Sequence, residues 1–248
     1  MNCGRIASIS TLLTAVVGGA ARAGAIPVPN GSFESPSVPL QDIARPGADN
    51  WVTTGGNNTG IFPNLPMDEN FGGVIAKRIT NADGSQLAYI AAIYDPTGTT
   101  DNGTPIVNEF YQQLPAVYQP GQSYTLSVGV TTSSAQPPDA GAKLRLELYY
   151  PANGGQQSVA STLVTSDEAS VENQLLKYYT VQTPVVAAGA AYANQPIGIL
   201  LSTTDNGPTI GGTFDMDNVT LASIPEPASA ALFALGALVV GIRRRRIC

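Results

Sequence analysis

Carboxylates are the side chains in this 248-residue chain best suited to acid–base work near neutral pH. There is no histidine. That removes Ser-His-Asp and Cys-His catalysis and His-ligated zinc. The acids fall in close pairs: Asp68 with Glu69, Asp167 with Glu168, and Asp215 with Asp217. A secreted carbohydrate-active hydrolase would need two such groups facing each other across a cleft. No spacing in the sequence sets any two of them opposite each other, and each pair reads as solvated loop. With no compact catalytic motif, the residues point away from an enzyme. A non-catalytic binding module is the expectation, with a hydrolase or a structural adhesion domain as alternatives.

A binding module for sugars would use aromatic platforms. Tyr94, Tyr111, Tyr149, Tyr178 and Tyr179 are the tyrosines to consider. In Lys143-Leu144-Arg145-Leu146-Glu147-Leu148-Tyr149-Tyr150, the leucines recur with period two. That is a strand with one face in the core and one in water. Parity then puts Tyr150 with the leucines and Tyr149 outside, which makes Tyr149 the candidate ligand-binding residue. Trp51, the only tryptophan, reads as core.

The elements that position these residues are short strands. Tyr124-Thr125-Leu126-Ser127-Val128-Gly129-Val130 alternates as clearly as the leucine strand. Further strands are expected at 86–92, 108–114, 157–165, 175–182, 197–202 and 213–221, near Ser32 and near Trp51. Asp83-Gly84, Pro120-Gly121, Asn153-Gly154-Gly155 and Asn206-Gly207-Pro208 supply turns. Residues 57–71 and 93–106 read as long loops. Strands without intervening helices predict an all-β antiparallel sandwich. In 213–221 the apolar residues change parity, from Phe214 and Met216 to Val219 and Leu221. That predicts a bulge at Asp217-Asn218. Between Gly24 and Ile224 there are 17 acidic and six basic residues, a formal net of −11, so no basic patch exists to bind nucleic acid.

The two ends read as addresses. Residues 1–25 have a basic start at Arg5, an apolar stretch and small-x-small cleavage patterns at Ala21-Arg22-Ala23 and Ala23-Gly24-Ala25, the layout of a secretory signal peptide. The mature chain is expected to begin at Gly24 or Ile26. Cys3 and Cys248, the only cysteines, lie at these ends, so the mature domain of residues 26–222 is expected to lack a disulfide. In the tail, residues 223–248, Pro225-Glu226-Pro227 precede a 15-residue apolar run and then Arg243, Arg244, Arg245 and Arg246. An apolar helix stopped by arginines is expected to sit in the membrane with the arginines cytoplasmic and the domain across from them.

This order of motif, helix and basic stop resembles the PEP-CTERM sorting signal of Gram-negative bacteria. The resemblance implies an exosortase-type membrane enzyme as partner, processing near Pro225–Pro227, and a final place at the cell surface or outside it, among extracellular polysaccharide.

A second resemblance rests on Asn30-Gly31-Ser32-Phe33-Glu34 at the opening and Phe214-Asp215-Met216-Asp217-Asn218-Val219-Thr220-Leu221 at the close, with Gln112-Gln113-Leu114 and Pro120-Gly121-Gln122-Ser123-Tyr124-Thr125-Leu126 between. These cues are similar to the galactose-binding-like jelly rolls, which include many carbohydrate-binding modules. That resemblance implies a structural calcium (Ca2+) where first and last strands meet, with Ser32, Glu34 and Asp217 as its residues.

Overall fold

The computed structural model describes residues 23–226, apart from 40, 41, 43, 45, 46, 65–77, 94, 100–104, 170–174, 208 and 209. Residues 1–22 of the expected signal peptide, the expected apolar tail helix, Pro227 and the four terminal arginines lie outside the described residues, as do Asp68, Glu69 and Tyr94. Among the described residues, no helix is long and apolar enough to cross a membrane. Ala23–Glu226 form one compact unit.

The described residues form thirteen strands: β1 Gly24–Ile26, β2 Val52–Thr54, β3 Thr59–Pro63, β4 Gln86–Ala91, β5 Asp95–Thr99, β6 Pro105–Ile106, β7 Glu109–Val117, β8 Gln122–Thr132, β9 Lys143–Ala152, β10 Gly155–Thr165, β11 Lys177–Gln182, β12 Pro196–Ser202 and β13 Thr213–Pro225. They build a two-sheet antiparallel sandwich. The first sheet runs β11-β8-β13-β4-β3, with β1 added against β13; the second runs β10-β9-β12-β7-β2. β5 and β6 make a separate ribbon.

Alternation explains the layers. Leu144, Leu146 and Leu148 of β9 and Leu126, Val128 and Val130 of β8 are fully buried between the sheets. Phe33, Trp51 and Phe110 pack as an aromatic cluster with ring centroids 5.3–6.4 Å apart. The Trp51 Nε1 donates to the Asn30 carbonyl at 3.0 Å, so the tryptophan is core as expected.

β13 organises the first sheet. Phe214 and Met216 face the core, as do Val219 and Leu221, and the register shifts between Asp217 and Thr220. Asn218 takes a left-handed φ of 55° there. The predicted bulge is therefore present. It lies where β13 changes neighbours: Thr213–Met216 pair with β4 and 221–223 pair with β1.

Three expectations are corrected. Ser32 lies in a turn instead of a strand, and the N-terminal strand is β1, earlier in the chain. Residues 57–71 contain β3, whose Thr-Gly-Ile-Phe-Pro composition looks like loop but whose Ile61 fills the core. Residues 93–106 contain the β5–β6 ribbon.

Candidate functional site

Just before the bulge, alternation with the core-facing Phe214 and Met216 turns two carboxyls, Asp215 and Asp217, to the outer face of the first sheet. Asp215 stands between Tyr89 of β4 and Thr131 of β8 in the ladder. It is 6% exposed. Burial pushes its carboxyl up to about 8, and a hydrogen bond from Ser133 offsets only part of that. At pH 7 this group is mainly a neutral acid that can donate a proton. The loop after β8 closes beside it, with the Ser133 amide donating to the Thr213 carbonyl at 3.0 Å and the Thr213 amide to the Gln136 carbonyl at 2.8 Å.

Tyr89 is the neighbouring aromatic. Its ring can lie over the backbone because residue 60 is glycine: a Cβ there would meet the ring at 2.8 Å. The Tyr89 hydroxyl donates to the Asn57 carbonyl at 3.0 Å, and Phe62 packs edge-on to the ring.

Asp217 is fully buried. Burial pushes it up to about 7, against hydrogen bonds from the Asn218 and Asp83 amides and with the Asp83 and Glu34 charges adding to the rise. The Asp83 amide reaches Asp217 Oδ2 at 2.7 Å. Asp217 Oδ1 has no hydrogen-bond partner among the described residues. Glu34 accepts from the Ser85 amide at 2.9 Å and the Gln86 amide at 2.8 Å through Oε1, and from the Ser85 hydroxyl through Oε2. The opening turn thus brings Glu34 toward Asp217, with Ser32 half-buried in that turn. Among the described residues no group of three or more acidic or Cys side chains is placed to hold a metal.

The outer face of the second sheet carries a groove of about 870 Å3. Glu109, Tyr111, Tyr149 and Gln156 line it. Glu109 is raised by burial and by Glu147; Glu147 is raised by burial and held back by Arg145. Tyr149 does face outward, as parity predicts, but it is only 3% exposed. It lies flat because residue 198 across the ladder is glycine, where a Cβ would meet the ring at 2.2 Å. Lying down, the ring offers little free surface. Arg145 is held by Asp205 at 2.6 and 2.7 Å.

Asp215 is visible in the sequence as one acid among several, but Tyr89 and Ser133 come from distant segments, and only the ladder brings them to it. The β-sandwich itself has known counterparts. Residues 24–222 match the model of the HpiC1 cyclase family. The chain belongs to the HpiC1-like cyclase family. A cyclase from Fischerella sp. TAU superposes with a TM-score of 0.58 at 21% identity, over 83% of this chain and 99% of that one. A Stig cyclase from the same organism, in complex with (3Z)-3-(1-methyl-2-pyrrolidinylidene)-3H-indole, superposes with a TM-score of 0.59 at 21% identity, over 83% and 100%. A carbohydrate-binding module of family 4 superposes less well, with a TM-score of 0.39 at 16% identity, over 79% and 98%. Among curated proteins none matches the sequence.

Membership of a cyclase family overturns the expectation that the chain is not an enzyme. The reason is chemical. Absence of histidine excludes His-based mechanisms, but a carboxyl kept neutral by burial is an acid in its own right. Residues 223–246 match the PEP-CTERM protein-sorting motif. That motif implies export, cell-surface sorting and exosortase processing.

Proposed function

We propose that the protein is an exported cyclase that closes rings by proton donation from Asp215. The observation that carries this reading is the buried carboxyl, pushed up to about 8, beside Tyr89 on the outer face of the first sheet. Asp215 gives its proton to an unsaturated substrate, the cation so formed closes on itself, and loss of a proton to the restored carboxylate ends the reaction. Atoms balance, so product and substrate have the same mass. Tyr89 and Phe62 offer the apolar, aromatic wall that a developing cation needs. By analogy with the ligand of the Fischerella enzyme, the substrate class is a planar, indole-like aromatic.

The test is a mass-spectrometric search. The processed protein is incubated with low-mass aromatic extracts of the producing cells, and products isomeric with a consumed compound are sought. Wild-type protein yields such an isomer and Asp215→Asn does not; an isomer formed equally by both removes Asp215 from the chemistry.

We also propose a structural calcium at Asp217. Its unpartnered buried Oδ1 fits a hard cation, and Glu34 supplies the second negative charge nearby. Ser32 would contribute through its backbone. The ion would tie the opening turn to the bulge of β13, with no part in the proton transfer.

A further inference from the structure

β13 does not end where the cyclase domain ends. Its last rungs pair Ser223 with Tyr124, Ile224 with Ser123 and Pro225 with Gln122. The Glu226 amide then donates to the Gly121 carbonyl at 3.0 Å. Two of the three residues of the Pro-Glu-Pro motif are therefore held by the sheet. The surface that holds them is itself fixed: the Gly121 amide donates to the Val186 carbonyl at 2.9 Å, and the Val186 amide to the Gln122 carbonyl at 2.8 Å. On the other edge, β1 pairs Gly24 with Ser223, Ala25 with Ala222 and Ile26 with Leu221. Ile224 and Pro225 are half-buried, whereas the Glu226 side chain is exposed.

A processing enzyme needs the backbone of its recognition motif in its own active site. Backbone paired in a ladder is not free to enter one. An exposed carboxylate, by contrast, can be read in place. We propose that the folded domain withholds its sorting motif: the processing enzyme first meets the exposed Glu226, and cutting waits until the last rungs of β13 peel from β8.

The N-terminal cut bears on the same step. A chain beginning at Gly24 keeps all three rungs of β1, whereas one beginning at Ile26 keeps only Ile26 opposite Leu221. The shorter start leaves one flank of β13 bare beside Ser223 and eases peeling.

Strand ends open at free energies well below that of global unfolding, so the gate is adjustable by mutation. The experiment follows precursor and mature forms of the full chain by pulse-chase in a host that carries the processing enzyme. In a Cys248→Ser background, Ser123→Cys with Ile224→Cys staples the last rungs together. A second variant inserts Gly-Ser-Gly-Ser between Ser223 and Ile224 and frees the motif from β8. The stapled chain should be processed at least about tenfold more slowly, with reductant restoring the rate, and the inserted chain about tenfold faster. Processing of the oxidised staple at the wild-type rate overturns the proposal, as does an insertion that leaves the rate unchanged or lowers it. Melting of each variant's domain is measured alongside, so that a global folding defect is told from a gate. The result does not depend on whether Asp215 is catalytic.

Discussion

The two outer faces of the sandwich treat their carboxyls differently. On the first sheet, Asp215 is closed in beside Tyr89 with only a serine hydroxyl to stabilise its charge. On the second, Glu109 lines an open groove, and the buried Glu147 has Arg145 within 3.5 Å. Burial raises the acids on both faces, most strongly at Asp215, while on the second face Arg145 holds Glu147 back. The difference teaches that residue type does not decide which acid is useful; depth and company do.

The comparison breaks if the groove acids prove as important as Asp215. Asp215→Asn should slow formation of the isomeric product by about 100-fold or more, the usual scale of general acid catalysis. Glu109→Gln should leave the rate within about threefold, measured on the same extract. Equal losses would move the chemistry to the groove.

Stability against pH gives the next largest effect. Asp215 and Asp217 are raised in the folded state, so between pH 4 and 7–8 the folded chain binds more protons than the unfolded one. Unfolding free energy should therefore fall as pH rises through that window. Urea titrations at successive pH values should show the decline. Asp215→Asn should flatten it by a few kcal/mol, because one extra bound proton is worth about 1.4 kcal/mol for each step of one in pH. A profile equally steep in the variant would mean that Asp215 is not the group titrating.

Calcium should reverse part of this slope, because a bound cation favours the charged form of Asp217. At pH 7 millimolar calcium should raise the melting temperature of wild type by several degrees, corresponding to about 1–2 kcal/mol. Asp217→Asn should remove that response. An unchanged melting curve on adding chelator and then calcium would dismiss the ion.

The smallest effect belongs to the second face. Arg145→Met should cost about 1 kcal/mol or less, since its pair with Asp205 is partly exposed. Chemical denaturation would detect it, and the product yield should not change.

Much of this frame was legible in the sequence. Period-two leucines gave β9, and the parity change in 213–221 gave the bulge. Trp51 was legible because a lone tryptophan is seldom left in water. β3 was hidden by its glycine and proline, since its stability comes from pairing with β4 and from Ile61 in the core, not from propensity. The acidity of Asp215 was hidden for a related reason. It depends on strands that meet only after folding, and no local spacing records that Tyr89 and Thr131 flank it. Parity puts Tyr149 on the correct face, yet a glycine on a different strand decides that its ring lies down.

Trp51 has a use beyond packing. It is the single indole of the chain, wedged between Phe33 and Phe110 and tethered to Asn30. Its emission is therefore an uncontaminated optical signal of one junction, where the opening turn meets the second sheet. Fraying at the far end of β13 should leave that light unchanged, while separation of the sheets should shift it to the red, so one native fluorophore can tell a local breath from collapse of the whole fold.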